Sequence, residues 1–486
     1  GRWQPAASGR TLESRNPADT SEVVAVAPAS SSDDVGQAVA AAKAAFPAWR
    51  AVPAPKRGEI LFRAAERLAR DKEAVSRIVT REMGKVIAEA RGDVQEAVDM
   101  AYYMAGEGRR LAGQTVPSEL PNKDAKSVRV PLGVCGLITP WNFPVAIPSW
   151  KILPALVAGN TAVIKPSELT PLCATRFVQI LQDSGLPPGV LNLVHGYGED
   201  AGGALVSHPD VNAVSFTGSS AVGEQVEAAC GRLHRPVCTE TGGKNPLIVM
   251  EDADLDLAVE GALWGGFGTS GQRCTAASRV IVHQAAYDAF LARFVDAAKR
   301  LRLGSGLDPK THVGPVISAD QKRMVLEYIA IGKKEGAKLL CGGHAVTDGA
   351  LANGHFIAPT VFGEVAPAMR IAQEEIFGPV VSVIKARDYA HAIEIANNVA
   401  YGLSAAIYTR DVNTSAMAER DLDTGIVYVN ASTIGAEIQL PFGGTKRTGL
   451  GPREAGGRGG ALELYTKWKV IYRDFSGKLQ KAQIDA

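Results

Sequence analysis

The sequence predicts an α/β protein built on parallel sheets covered by helices on both faces. Three observations carry that prediction. From Val134 onward, short uncharged apolar runs alternate with longer helical segments, the pattern of strands buried on both faces. A second series of the same kind follows from Asp252. The 486 residues, at roughly 100–200 per domain, suggest two to four domains.

The elements follow in order. Ser32, Asp33 and Asp34 precede the Ala-rich run Val35 to Phe46, a capped helix start. Leu61, Ala64, Ala65, Leu68, Val75 and Val79 recur at helical spacing and give an amphipathic helix. Val134–Thr139, Ala162–Lys165, Val190–Val194, Val211–Phe216 and Leu247–Met250 are expected as buried strands, with helices over Pro171–Ser184, Glu199–Ser207 and Val222–Cys230 between them. In the second series the strands are Arg279–Val282, Val380–Ile384, Ala405–Tyr408 and Ile426–Val429, with helices over Ala285–Lys299 and Ala319–Glu335. Val128 and Val130, and near the C-terminus Trp468, Val470 and Tyr472, alternate with charged neighbours as edge strands do. A strand of that kind at a chain end could pair outside its own domain.

Composition excludes several classes. Apolar residues are 46% and charged residues 21%, too apolar for a disordered chain. Lys plus Arg is 52 against Asp plus Glu 51, with no basic stripe for nucleic acid. Six cysteines without a Cys-x-x-Cys pair favour a reducing compartment over disulfides or zinc. Gly133 to Trp150 holds eighteen residues without a charge, near the length of a membrane span, but Pro140, Pro144 and Pro148 would break it. It is expected to be a buried strand running into an irregular, pocket-lining segment. No signal-peptide layout opens the sequence, and the expectation is a soluble cytoplasmic protein without membrane partners.

Several short segments carry chemistry. Gly266 to Gly271 matches Gly-x-Gly-x-x-Gly, yet a helical run precedes it where the dinucleotide fingerprint requires a strand. It is better taken as a flexible loop beside a reactive residue. Cys274 is that residue, and Arg273 puts a cation beside it in sequence, which favours thiolate. Glu240, followed by Thr241, Gly242 and Gly243, is a carboxylate with room to move, suited to a base. Thr139-Pro140-Trp141-Asn142 ends a strand at the sheet edge where ligands gather, and an amide there can donate to an oxyanion. Lys165 and Glu168 end the next strand, a cation and a carboxylate suited to a ribose diol. Phe216-Thr217-Gly218-Ser219 ends another strand before a helix, where free N–H groups favour an anion.

Together with Glu374-Glu375-Ile376-Phe377-Gly378-Pro379 and Pro441-Phe442-Gly443-Gly444, these segments resemble the NAD(P)-dependent aldehyde dehydrogenase superfamily in order and spacing along nearly the whole chain. The resemblance implies an aldehyde dehydrogenase-like fold. A Rossmann-like cofactor domain would span 1–112 and 132–242, a catalytic α/β domain 243–445, and oligomerisation strands with a tail 113–131 and 446–486. It makes Cys274 the nucleophile, Glu240 the general base 34 positions earlier, and Asn142 the oxyanion amide. Lys165 and Glu168 match the adenosine-ribose groups. Thr139, Trp141, Gly218 and Ser219 lie along the cofactor cleft. Glu375 matches the nicotinamide-ribose carboxylate, and Phe377 the residue against the nicotinamide end. Thr241 departs from the family's usual leucine, which leaves the base intact and puts the packing behind it in question.

The chemistry implied is oxidation of an aldehyde to an acid through a thiohemiacetal and a thioester on Cys274, without a metal. NAD is expected as the preferred cofactor, with NADP left open as a second. Arg81-Glu82-Met83-Gly84-Lys85, Val145 to Pro148 and Gly435 to Gln439 are similar to semialdehyde branches, especially 2-ketoglutaric semialdehyde dehydrogenases. α-Aminoadipic semialdehyde and a broad aldehyde range stand as alternatives. A CoA-acylating dehydrogenase or acyltransferase is disfavoured by Glu240. Arg273 and Arg109 are candidates for the distal carboxylate of such a substrate. Family members form homodimers or homotetramers through strands like Lys467–Arg473, and the same is expected here.

Overall fold

The computed structural model describes residues 2–484. Val134–Ile138, Thr161–Lys165, Leu191–Leu193, Val211–Thr217 and Val237–Glu240 form parallel strands of a six-stranded sheet, closed at one edge by antiparallel Gly449–Leu450. From Val134–Ile138 the chain adds strands outward to Leu191–Leu193, then returns to place Val211–Thr217 on the other side. That reversal opens a crevice beyond the carboxyl ends of Val134–Ile138 and Val211–Thr217, the usual ligand position in such sheets.

The strands are uncharged runs because both faces are covered. On one face Leu137, Ala162 and Ile164 pack with the helices Ala54–Met83, Ile87–Glu107, Ala146–Ala158 and Pro171–Asp183. On the other, Val134, Val163, Val214 and Phe216 meet Val35, Val39 and Ala42 of the helix Ser32–Ala51 and Val226 of Ser220–Arg232. Each large aliphatic side chain so buried contributes about 1.5–3 kcal/mol.

The second sheet has seven strands, in the order Lys338–Cys341, Thr360–Gly363, Val380–Ala386, Arg279–His283, Pro246–Val249, Ser404–Tyr408 and Ile426–Val429. All run parallel except Lys338–Cys341. The period-2 rule holds here: Ile248, Ile281, Ile384 and Ile407 face one core, while Leu247, Val249, Val280, Val282 and Tyr408 face the other.

Several details differ from the sequence-based expectation. The helix at residue 32 continues through Pro47 to Ala51, and Asp34 lies inside it, accepting the Ser31 N–H at 2.9 Å in a capping box. The segment after Val134–Ile138 is irregular only to Val145, because Pro148 sits in the first turn of Ala146–Ala158, where its missing N–H costs little. Every residue of that helix is buried in protein, which explains the uncharged stretch. Among the described residues no helix is long and apolar enough to cross a membrane. A hairpin of Thr11–Arg15 with Val23–Pro28 and the long helix Ile87–Glu107 were not anticipated.

The C-terminal strand is not a lone edge. Thr466–Asp474 pairs antiparallel along its whole length with Lys123–Pro131, which also pairs with Gln114–Pro117. Before that strand, Gly449–Leu450 joins the first sheet, and Leu462, Leu464 and Tyr465 are buried in the same core as Leu137 and Ile164.

Candidate active site

The carboxyl edge of the first sheet faces the amino edge of the second. The chain passes from the first to the second through 241–245, so Glu240, ending one strand, and Cys274, preceding Arg279–His283, come to the same cleft. Gly243 makes the approach possible. A Cβ there would stand 2.1 Å from the Cys274 carbonyl oxygen. Asn245 Nδ2 donates to that carbonyl at 2.7 Å and to the Ala276 carbonyl at 3.0 Å, while its Oδ1 accepts the Ser404 N–H at 3.0 Å.

The loop before Cys274 is held in strained backbone. Thr269 and Ser270 both have left-handed dihedrals, at φ 53° and 58°. Both oxygens of Glu89 accept the Thr269 N–H at 2.9 Å, Ser270 Oγ donates to the Gly314 carbonyl, and Gln272 bonds Thr269 O, Pro315 O and the Ile317 N–H. Such over-determination sustains strain of about 1–3 kcal/mol per residue. Gly266 and Phe267 end the helix Leu255–Phe267, so the glycine-rich segment is the turn that presents Cys274.

Asn142 arrives from the other side. It is buried, and its Nδ2 donates to the Gln272 carbonyl at 3.1 Å, two residues before Cys274. An amide has two such hydrogens, so one remains for another acceptor. Asn142 Oδ1 is buried without a partner.

The electrostatics correct one sequence inference. Arg273 does not activate the thiol. Its Nη2 pairs with Glu89 at 3.2 Å, its Nε donates to Thr269 Oγ1 at 2.9 Å, and its guanidinium lies 5.1 Å from the Phe143 ring centroid. Burial, then Glu240, Glu375 and Glu454, hold the Cys274 thiol in its neutral form well above the ordinary thiol range. Burial, then Glu454, likewise raise the Glu240 carboxyl, whose Oε2 has no partner. Gly443 gives it space: a Cβ there would meet Glu240 Oε1 at 2.3 Å. Thr241 Oγ1 donates to the Thr448 and Arg447 carbonyls, at 2.9 and 2.8 Å, fastening the chain just after Glu240 to segment 445–450.

The crevice at the strand reversal gathers the remaining candidates. Thr139 is buried there, with Oγ1 unpartnered. Lys165 Nζ lies 3.4 Å from Glu168 Oε2 at the end of the neighbouring strand. Ser219 is the N-cap of Ser220–Arg232, and the Gly218 N–H donates to the Glu240 carbonyl at 3.0 Å. Across the cleft, Glu375 Oε1 accepts the Gly243 N–H at 2.8 Å, and burial pushes its carboxyl up to about 7. Phe377, left-handed at φ 55°, is held by Gln321 Nε2 on its carbonyl at 2.8 Å and sets its ring edge-on to Trp141, centroids 5.4 Å apart. Arg109 is exposed beyond the end of Ile87–Glu107, where its charge acts on Glu59, and no contact ties it to this cleft.

The Aldehyde dehydrogenase family pattern matches residues 3–471. This chain is a member of the aldehyde dehydrogenase family. The enzyme is 44% identical over 476 residues to an alpha-ketoglutarate semialdehyde dehydrogenase of Haloferax volcanii, covering 98% of each chain. It is 42% identical over 474 residues to the alpha-ketoglutaric semialdehyde dehydrogenase of Bacillus subtilis, covering 97% of this chain and 96% of that one. A solved betaine aldehyde dehydrogenase from Staphylococcus aureus in complex with NAD+ superposes with a TM-score of 0.96 at 35% identity, covering 99% of this chain and 95% of that chain.

Sequence reasoning missed the groups that hold this dehydrogenase's cleft together. Asn245, Gln272, Glu89 and Asp93 are not singled out in the sequence, where a polar side chain among mixed neighbours names no partner.

Proposed function

We propose that this aldehyde dehydrogenase oxidises 2-ketoglutaric semialdehyde, or a close semialdehyde with a distal carboxylate, to the acid with NAD. The observation that carries the substrate is 44% and 42% identity, over nearly the whole chain, to two alpha-ketoglutarate semialdehyde dehydrogenases. For the distal carboxylate we assign Arg273, whose contacts with Glu89 and Thr269 use Nη2 and Nε.

The residues fit the cofactor. The unpartnered Thr139 hydroxyl, the Lys165–Glu168 pair and the half-buried Glu375 carboxyl are what two ribose diols need, and Gly218 and Ser219 at a helix start suit the diphosphate. Bound NAD+ supplies the hydride acceptor.

The chain's own groups perform the rest. The Cys274 thiol gives its proton to solvent water, and Sγ bonds to the aldehyde carbon, moving the carbonyl electron pair onto oxygen. Asn142 Nδ2 and the Cys274 N–H donate to that oxygen. Once hydride has left, the carbon is a thioester. Glu240 takes a proton from the water that attacks it, the C–S bond breaks, and the acid leaves with Cys274 restored. Burial and Glu454 raise the affinity of Glu240 for a proton, which suits a group that must take one from water.

We also propose a homodimer or homotetramer in a reducing cytoplasm. Trp468, Val470 and Tyr472 stand exposed on one face of Thr466–Asp474, and all six cysteines are free. NADH formation over a panel of aldehydes tests the assignment. The highest specificity constant should belong to 2-ketoglutaric semialdehyde, and a clear preference for betaine aldehyde or α-aminoadipic semialdehyde would replace it.

A further inference from the structure

Behind Asn142 lies a charged cluster that the reaction itself does not use. Gly84 ends the helix Ala54–Met83 in a left-handed turn, φ 93°, packed against Pro17 and Pro315, and the chain that leaves it drives Lys85 into the interior. The Lys85 ammonium is fully buried, as is its partner Asp93, with Nζ to Oδ2 at 3.1 Å. Burial weakens its hold on a proton and Asp93 opposes that effect. The other Asp93 oxygen accepts the Ala146 N–H at 2.7 Å, so the same carboxylate anchors the start of the helix Ala146–Ala158. Lys85 Nζ also stands 3.7 Å from the centroid of the Phe143 ring, over which Arg273 lies as well.

Phe143 follows Asn142 directly. Its ring is therefore held by a desolvated cation, a setting in which cation–π attraction is strongest. The chain leaves this grip at Ala146, where Asp93 fastens it again. The segment 143–146, directly after the oxyanion donor, is thus tied at two points to one buried ion pair.

We propose that Lys85 is a positioning residue: fixed by Asp93, its ammonium pins the Phe143 ring and so holds the Asn142 amide where negative charge develops on the substrate oxygen. The proposal rests on the reading of Asn142 as oxyanion donor. An ammonium–ring contact is used rather than a hydrogen bond because every polar atom of Asn142 stays available for its own partners. Arg273 cannot replace it, since its guanidinium stands farther from the ring, at 5.1 Å against 3.7 Å for Lys85 Nζ, and is carried by the loop that presents Cys274.

The test is a double-mutant cycle read by the pre-steady-state burst of NADH, which reports the steps up to the thioester. Lys85→Met paired with Asp93→Asn removes both charges together, so no buried charge is left alone. The burst rate should fall about tenfold or more, with KM for NAD unchanged, and Lys85→Arg should recover part of the loss. In an Asn142→Ala background the same pair should change the burst rate by less than about twofold, because a group acting through Asn142 has nothing left to position. Losses that multiply, or a wild-type burst rate in the Lys85 variants, would overturn the proposal. If the paired variant does not fold, Phe143→Leu measured with and without Asn142→Ala reads the same coupling. A wild-type burst rate in Asn142→Ala alone would locate the failure in the oxyanion assignment, and the positioning role would fall with it.

Discussion

Asn245 donates its side-chain amide to the carbonyl of Cys274 at 2.7 Å, across 29 residues of sequence, and so ties the first strand of one sheet to the loop that presents the nucleophile. With the bonds to Ala276 and Ser404, it satisfies three backbone groups at once. Asn245→Ala leaves them buried and unpaired, at about 1–3 kcal/mol each. Thermal unfolding of this variant should begin several degrees lower, and kcat should fall at least tenfold while NAD still binds. An unchanged melting temperature would mean the loop is held without it.

Cys274→Ala should abolish aldehyde oxidation and leave NAD binding intact, since the thiol is the bond-forming group and makes none of the contacts assigned to the cofactor. Isothermal titration with NAD beside a turnover assay separates the two. Retained turnover, or loss only on replacing Cys238, would move the nucleophile elsewhere.

Glu240→Gln should keep a rapid burst of NADH and then turn over slowly, because the thioester forms but its attacking water lacks a base. In the wild-type enzyme the base must be ionised, and its carboxyl is raised. The hydrolytic rate should therefore climb as pH rises and fall on the acid side. Steady turnover at the wild-type rate in the variant would make Glu240 structural.

Glu375 gives a second pH effect. Its carboxyl is pushed up to about 7, so it is largely protonated at pH 6 and ionised at pH 8. The ionised form accepts hydrogen bonds from two ribose hydroxyls, whereas the protonated form has lost part of that capacity. NAD should bind more tightly as pH rises through 7, by up to about tenfold, and Glu375→Gln should flatten the dependence. For stability the sign is opposite. A carboxyl raised from 4.5 to about 7 favours the fold below 4.5 and loses that contribution as pH climbs through 7. Neighbouring Lys244, lowered to about 7, works against this loss, because the fold gains from its neutral form as pH rises above 7. Fluorescence titration of NAD at several pH values reads the binding effect directly.

Val470→Lys should shift the assembly toward smaller species in light scattering without unfolding it. The residue is exposed at the centre of the apolar face of Thr466–Asp474, and a charge there opposes burial against a second copy. Deleting everything after Tyr465 is a harsher change, since it also strips Lys123–Pro131 of its partner, and should yield insoluble protein. A wild-type monomer at micromolar concentration would remove the basis for both expectations.

The sequence alone determined most of the central strands, because a strand buried on both faces must be a short uncharged run, and Val134–Ile138 and Pro246–Val249 read that way without any partner in view. It also marked Cys274, Glu240 and Asn142 by residue type, and the resemblance to the family supplied the role of each. Contacts between distant segments were beyond it. Arg273 looked like the thiol's activating neighbour because sequence adjacency implied proximity of charge, yet in the fold its side chain turns to Glu89. The C-terminal strand looked unpaired because its partner, Lys123–Pro131, lies more than three hundred residues away. Gly243 read as room for Glu240 to move, but its need is steric: a Cβ there would meet the Cys274 carbonyl, while the space beside Glu240 is left by Gly443. Which polar group meets which across a closed cleft is decided only when the sheets pack, since a hydrogen bond depends on ångström distances that no local pattern encodes.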